Sequence, residues 1–159
     1  MTERFDLQNA TLSWDPEKSI VTCREKGEVH RKVWIKKLED AGFLTSVIED
    51  GARYYLACES GESQGTFLCV DRENGETLWD IPGRSFLQVV YEGFLYMIFV
   101  DEQGAYFLLK IDRADGSSVW HHRVDEDLCE YRFSTRRIRL YYSSGREEVL
   151  DGATGHPEF

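Results

Sequence analysis

The chain has 159 residues, a formal net charge of −10 and an aromatic content of 13%. This length suits a single folded domain, and this composition excludes a disordered or low-complexity chain. No segment approaches the roughly 18 consecutive apolar residues of a membrane helix, and the N-terminus lacks a basic start followed by an apolar run. We therefore expect one soluble, acidic, cytoplasmic domain over residues 1–159, without membrane contact.

The first 38 residues are the least regular part of the chain. Residues 19–34 predict two strands around a turn at Gly27, and Trp34 follows that glycine by seven residues. Residues 35–42 are the only plausible helical stretch, because they end at Gly42, which can close one or two turns. We expect at most one short helix here.

The rest of the chain divides into short strand-like runs separated by turns. Most turns contain glycine beside Asp, Asn or Ser, the residues that favour tight hairpins. The predicted strands are residues 43–49, 53–58, 66–71 and 76–80, then 86–91, 94–100, 105–112 and 118–123, then 128–133, 138–142, 147–151 and a clipped run at 156–159.

Three of these strands have informative patterns. Residues 54–58 and 94–100 are apolar throughout, which is typical of central strands buried on both faces. Residues 137–141 alternate between arginine and apolar residues, which indicates a sheet with one face in water. The turn before them, residues 134–137, has no glycine, so its geometry should differ from that of the other turns.

A ten-residue pattern recurs at the ends of three groups of strands. The spacings between copies are 41 and 39 residues. The glycine is expected to complete a tight turn, the aspartate to cap that turn, and the aromatic residue to pack between successive units. The residues concerned are Asp71, Gly75 and Trp79, then Asp112, Gly116 and Trp120, then Asp151, Gly155 and Phe159.

Asp-x-x-x-Gly-x-x-x-Trp at the end of a unit of about 40 residues resembles the quinoprotein-like, pyrroloquinoline-quinone-type β-propeller repeat. The resemblance covers residues 43–159, and residues 1–38 are interpreted as a degenerate first copy. It implies an all-β fold of about four antiparallel four-stranded units, approximately 1–38, 39–82, 83–123 and 124–159. These units would form either a closed ring, in which residues 5–8 complete the clipped last unit, or a half ring completed by dimerisation.

The dehydrogenase activity of that family is not expected here. Quinoprotein dehydrogenases look like long, exported eight-bladed rings that hold a quinone and a calcium ion beside a pair of adjacent cysteines. This sequence is short, has no recognisable export signal and has no adjacent cysteines. We expect no cofactor, and no cofactor-binding residue maps onto a position of this chain.

Four cysteines, Cys23, Cys58, Cys69 and Cys129, show no C-x-x-C pair and no disulfide-dense spacing. This usage is typical of a reducing compartment, and we expect buried thiols. Cys58 and Cys69 lie almost symmetrically about the loop at residues 60–65, so they are expected to face each other as neighbouring core thiols.

Other polar residues offer little evidence of catalysis. His121 and His122 are adjacent, so on a strand they point to opposite faces and do not chelate one ion. His30 and His156 are isolated. The acidic run at residues 125–127 is interpreted as a solvated turn between units rather than a cation site, because it lacks the alternation of a calcium loop. We therefore predict no catalytic or metal-binding residue.

The sharpest functional signal is an arginine-rich stretch with interleaved aromatic residues. Between Tyr131 and Arg146 there are five arginines and no acidic residue. These arginines either pair with acidic units or bind a protein partner; nucleic acid is less favoured because the chain has a pI near 4.9. The candidate partner-binding residues are Arg132, Arg136, Arg137, Arg139 and Tyr141.

The sequence thus predicts a non-catalytic protein-interaction or scaffold module that binds a protein partner or self-associates. The alternative is a small-molecule-binding or hydrolytic enzyme with a site built from loops on the propeller face. No nucleophile elbow, P-loop, dinucleotide-binding glycine pattern or metalloprotease helix is present. Propeller sites leave no linear trace, however, so both hypotheses remain open.

Overall fold

The structure, a computed structural model, describes residues 2–27, 31–39, 41–61 and 64–158. These residues contain fifteen β-strands and no helix, so no membrane-spanning helix occurs among them. The chain forms two compact units, Met1–Arg84 and Ser85–Phe159. Each unit holds two antiparallel sheets, numbered 1 to 4 in chain order.

The first unit consists of two four-stranded meanders in which each strand pairs with the next. Sheet 1 contains β1 (Glu3–Asp6), β2 (Ala10–Asp15), β3 (Ile20–Glu25) and β4 (Arg31–Lys37). Sheet 2 contains β5 (Phe43–Asp50), β6 (Arg53–Glu59), β7 (Gly65–Asp71) and β8 (Thr77–Pro82).

The second unit repeats this arrangement with a shorter last sheet. Sheet 3 contains β9 (Arg84–Tyr91), β10 (Phe94–Val100), β11 (Tyr106–Asp112) and β12 (Ser118–Val124). Sheet 4 contains β13 (Leu128–Ser134), β14 (Arg137–Tyr142) and β15 (Glu147–Asp151), and a single bridge from Leu150 to Pro157 stands where a fourth strand would begin. The predicted all-β fold of short antiparallel meanders is confirmed, and the predicted strands of sheets 2, 3 and 4 agree closely with the observed ones.

The expectation of at most one short helix agrees with the structure, which has no helix among the described residues. The candidate stretch at residues 35–42 begins instead within β4, which runs to Lys37 and pairs with β3 from Ile20 onward. A stretch this short pays the cost of helix nucleation without tertiary support. Residues 5–8 lie in β1 and in the link that follows it, where β1 pairs with β2 and the Leu7 amide donates to the Ala10 carbonyl over 2.9 Å.

In each unit a hydrophobic core lies between the two sheets. Core 1 joins sheets 1 and 2 around Leu12, Trp34 and Leu56. Core 2 joins sheets 3 and 4 around Ile98, Trp120 and Leu140. The burial patterns agree with the sequence: β6 and β10 are apolar and almost completely buried, whereas β14 alternates between buried and more exposed positions.

A tryptophan on the last strand of one sheet packs onto a turn of the next sheet in both units. The Trp34 indole N–H donates to the Arg72 carbonyl over 2.8 Å, and the Trp120 indole N–H donates to the Gly152 carbonyl over 3.0 Å. The ring of Trp34 lies on Gly75 and that of Trp120 lies on Gly155, both of which have φ of +74°. Trp34 therefore occupies the same structural position as Trp120, although its spacing from Gly27 differs.

The repeated aspartates organise the turns that receive these rings. Asp71 accepts the Glu73 amide over 2.8 Å, and Asp112 accepts the Ala114 amide over 2.8 Å. Asp151 accepts the amides of Ala153 and Thr154. Gly116 has φ of +76° like its counterparts, and Trp79 is buried beside the rings of Tyr55 and Phe67. Phe159 lies outside the described residues.

The cysteines differ from expectation in two respects. Cys58 pairs with Thr66 and Cys69 with Tyr55, so the two thiols are on opposite faces of sheet 2 and do not face each other. Cys129 is exposed, because it lies at an irregularity in the pairing between Leu128 and Glu130. Cys23, Cys58 and Cys69 are buried, as expected.

We predict that Trp34→Ala and Trp120→Ala each lower the free energy of unfolding by about 3–5 kcal/mol, because each removes a buried ring between two sheets. Urea denaturation measures the effect. Val119→Ala is the control, since Val119 is 47% exposed beside Trp120 and should change stability by about 0.5 kcal/mol or less. Equal effects of W120A and V119A would contradict this role of the indole.

We also predict that Gly155→Ala is more destabilising than Gly145→Ala. Both glycines have positive φ, so both substitutions carry the left-handed backbone cost of about 1–2 kcal/mol. A Cβ at Gly155 would lie 2.5 Å from the Trp120 ring, whereas one at Gly145 meets nothing within 4 Å. The difference in unfolding free energy isolates the contact with the ring, and equal losses would show that the contact adds nothing.

Candidate functional site

The arginine-rich stretch lies partly on one face of sheet 4 and partly in the turns that join its strands. Part of it lies on the face turned away from core 2, which we call the outer face and define by Glu130, Arg132, Arg139, Tyr141 and Glu147. Arg132 lies directly opposite Arg139, an arrangement that is unfavourable for two like charges unless each has a partner.

Neighbouring carboxylates supply those partners. Arg132 pairs with Glu130 at 3.1 Å and Arg139 pairs with Glu147 at 3.4 Å. The Arg132 guanidinium also lies 5.2 Å from the centre of the Tyr141 ring. The outer face is therefore a mixed-charge surface rather than a basic one.

The remaining arginines have similar surroundings, with one exception. Arg137 pairs with Glu158 at 2.7 Å, and Arg146 pairs with Asp125 at 2.9 Å while lying over the Tyr142 ring. Arg136 forms no ion pair with any residue that the structure describes. These exposed ion pairs are individually weak, but they neutralise most of the positive charge of residues 131–146, which was the basis for considering a nucleic-acid partner.

Arg136 occupies a strained turn between β13 and β14. Its φ is +63°, a region that non-glycine residues enter at a cost of about 1–2 kcal/mol. In the turn between β9 and β10, both Glu92 and Gly93 have positive φ, so the turn without glycine does have a different geometry. The Arg136 carbonyl accepts the Gly152 amide over 2.8 Å, which ties this turn to the one after β15.

A cavity of about 300 Å³ lies between sheets 3 and 4 next to these turns. We call it the Lys110 cavity. Its aromatic wall comes from β9, β10 and β13, and its charged groups come from β11, from the end of β15 and from the turns that follow β9 and β13, the first of which contributes Glu92. Residues that characterise its lining are Phe94, Tyr96, Phe133, Lys110, Arg136 and Asp151.

Lys110 is the unusual residue of this cavity. It is 9% exposed, its ammonium donates to the Gly152 carbonyl over 3.0 Å, and Nζ lies 4.2 Å from the centre of the Phe94 ring. Burial lowers the pKa of Lys110 below its ordinary 10.5, while the charges of Asp151 and Glu92 oppose that shift. Lys110 is not among the residues predicted from the sequence, although a lysine within an otherwise apolar strand is a visible signal.

Asp151 belongs more to the turn than to the cavity. Its carboxylate accepts two backbone amides, and these hydrogen bonds lower its pKa. It therefore remains ionised while its oxygens are engaged by the chain itself.

The histidines are separated as the strand geometry predicts. His121 lies against the Phe107 ring, with centroids 5.8 Å apart, while His122 Nε2 lies 3.1 Å from the Glu148 carboxylate. Tyr142 donates to the same carboxylate over 3.0 Å, and burial raises the pKa of Tyr142. His156 is exposed, and His30 lies outside the described residues.

The acidic run at residues 125–127 is engaged by the hairpin between β14 and β15. Asp127 accepts the Ser144 amide over 3.2 Å, and Asp125 pairs with Arg146. In the ranges that the structure describes, no three His, Cys, Asp or Glu side chains are grouped to hold a metal ion.

Solved structures with this strand arrangement include two quinohemoprotein alcohol dehydrogenases and several other proteins. BamB from Moraxella catarrhalis aligns with a TM-score of 0.62 and 18% identity over 100% of this chain and 50% of its own. The dihydro-heme d1 dehydrogenase NirN aligns with a TM-score of 0.69 and 14% identity over 98% of this chain and 36% of its own. The chain has the quinoprotein-type β-propeller fold.

Other comparisons define the limits of that likeness. A quinohemoprotein alcohol dehydrogenase from Comamonas testosteroni shares the propeller fold with a TM-score of 0.63 and 10% identity over 98% of this chain and 34% of its own. The chain thus spans between a third and a half of these propeller proteins. Neither a protein-family model nor a curated protein sequence matches it. At these identities the likeness concerns the fold, and the resemblance of the repeat is confirmed at that level.

We predict that Lys110→Met is more stable than the wild type at pH 7, and that this advantage shrinks as pH rises towards 10.5. The pKa of Lys110 is lowered in the folded state, so the unfolded state binds more protons between the two pKa values and wild-type stability rises with pH there. Below the folded-state pKa the full cost of burying the ammonium is present.

Urea denaturation between pH 7 and 10 compares the two proteins. Glu92, Tyr96 and Asp151 line the cavity in both proteins, so effects common to the two largely cancel in the difference. The exposed Lys18 changed to methionine controls for the loss of a lysine charge. A stability difference between K110M and wild type that stays constant with pH would contradict the prediction.

Proposed function

We propose that the chain is a non-catalytic protein-interaction module whose docking surface is the outer face of sheet 4. The observation that carries this proposal is the asymmetry of that sheet. On one face Ile138 and Leu140 are 1% and 0% exposed in core 2. On the other, the side chains of Arg132 and Arg139 are 66% and 49% exposed. A rigid face of this kind presents side chains without needing to order itself on binding.

The composition of the outer face supports a protein partner. Tyrosine and arginine are among the residues most enriched at protein interfaces, because each combines a large contact area with hydrogen-bonding groups. Tyr141 is half-buried beneath Arg132, and Arg132 and Arg139 are each held by a carboxylate. Equal numbers of positive and negative groups fit a mixed-charge protein surface better than a polyanion.

The size of the face limits the kind of complex. Three strands of about six residues span roughly 20 Å by 14 Å, or about 300 Å². A stable interface buries about 800 Å² on each partner. The outer face therefore acts as the centre of a larger footprint that continues onto neighbouring turns. The cytoplasmic location expected from the sequence accompanies this proposal.

Site-specific photo-crosslinking tests the docking surface. A photoreactive phenylalanine replaces Val149 on β15, which pairs with Arg139 on β14 and so belongs to the outer face. The same photoreactive residue at the position of the exposed Lys18 is the control. We expect a crosslinked protein from position 149 and none from position 18. Tyr141→Ala should abolish the crosslink while leaving the melting temperature of the chain unchanged.

The mass of the adduct distinguishes two forms of the interaction. Twice the chain mass indicates a second copy, and any other mass indicates a different protein, to be identified by its peptides. Equal crosslinking from both positions, no adduct at position 149, or an adduct that survives Y141A in a folded chain would overturn the proposal.

A further inference from the structure

The buried lysine of the Lys110 cavity is not required by the fold. Lys110 pairs with Trp120 in the register in which Cys23 pairs with Trp34 and Cys69 pairs with Trp79. Cysteine therefore occupies the equivalent position in sheets 1 and 2. Burial of an ammonium group costs free energy that a buried thiol does not. The lysine thus stands where the repeat itself accepts a small, nearly apolar side chain.

The ammonium group of Lys110 is incompletely used by the protein. Of its three donors, one goes to the Gly152 carbonyl over 3.0 Å. That oxygen also accepts the Trp120 indole N–H over 3.0 Å. Lys110 forms no ion pair with the residues that the structure describes, and the carboxylate of the adjacent Asp151 is engaged by backbone amides. A ligand in the cavity can accept a hydrogen bond from a donor that neither the Gly152 carbonyl nor the Phe94 ring engages.

A second cation lines the same cavity. Arg136 has no ion-pair partner among the described residues, and its backbone is held in a left-handed turn. Strained residues of this kind are concentrated at binding sites, where the surrounding structure maintains them. Arg137 also lines the cavity but is committed to Glu158 at 2.7 Å. Lys110 and Arg136 are therefore the two cations available to an anion, in a lining that also carries the carboxylates of Glu92 and Asp151.

The rest of the lining is suited to a flat ring. Tyr91 and Phe133 stack with centroids 4.1 Å apart, and Tyr96 meets Phe133 edge-on at 4.7 Å. This interlocked wall is rigid and apolar, so it can receive an aromatic face with little reorganisation. A cavity of about 300 Å³ is at the lower end of the size range for small-molecule pockets, which favours a single-ring ligand.

We propose that the Lys110 cavity binds a small aromatic carboxylate, with the carboxylate between Lys110 and Arg136 and the ring against the Tyr91, Tyr96 and Phe133 wall. This site is independent of the docking surface, because it lies on the core side of sheet 4. Charge-assisted hydrogen bonds in a partly desolvated site supply most of the selectivity for an anion.

Isothermal titration calorimetry with three probes tests the ligand class. Benzoate carries both the ring and the charge, benzamide keeps the ring without the charge, and acetate keeps the charge without the ring. We expect benzoate to bind at least about tenfold more tightly than either of the others. Comparable affinities for benzoate and benzamide, or no heat from benzoate at about 10 mM, would overturn the proposal.

Variants then assign the binding to the cavity. Lys110→Cys introduces the cysteine that sheets 1 and 2 have at the equivalent position. Arg136→Asn removes the charge and introduces a residue that tolerates the left-handed backbone. Each should weaken benzoate binding at least about tenfold, whereas Arg139→Met on the outer face should leave it unchanged. Unchanged benzoate binding in K110C refutes the role of the lysine. If K110C does not fold, R136N decides the matter, because unchanged binding there refutes the site.

Discussion

The seating of an indole ring on a left-handed glycine is the contact on which each pair of sheets depends. Trp120 packs on Gly155 and donates to the Gly152 carbonyl, and Trp34 does the same with Gly75 and the Arg72 carbonyl. The ring fills the space that a Cβ would take, and the N–H satisfies a turn carbonyl. One residue thereby fixes both the distance between two sheets and the orientation of the receiving turn.

The Lys110 cavity follows directly from that contact. Because the Gly152 carbonyl is oriented by Trp120, it is also available to the Lys110 ammonium on the neighbouring strand. In the first unit the equivalent carbonyl of Arg72 receives the Trp34 indole, and the residue facing the gap is Cys23. The two gaps therefore differ in the group that the central strand presents, a thiol at Cys23 and an ammonium at Lys110.

What could be predicted from the sequence was local. The strands and turns of sheets 2, 3 and 4 followed from residue patterns, because hairpin chemistry acts over a few residues. The equivalence of Trp34 to Trp120 was not predicted, because the position of Trp34 was counted from Gly27. Its place in the sheet is set instead by its pairing with Cys23 across β3 and β4. The pairing of these strands is irregular directly after Cys23. The ion pairs of Arg137 with Glu158 and of Arg146 with Asp125 could not be predicted either, because the fold brings these residues together from about 20 positions apart in the sequence. Lys110 was missed because its cavity exists only once two sheets meet.

The two proposed sites use opposite faces of sheet 4, and Arg136 shows why they should be considered separately. Glycine would occupy its left-handed turn position without strain, yet an arginine without an ion-pair partner among the described residues is found there beside a buried lysine. Arg139, by contrast, is exposed, paired and replaceable without consequence for the core. The strain at Arg136 has no use on the outer face, where exposed arginines adopt ordinary strand geometry. It does have one at the cavity, since it holds a second positive charge beside Lys110.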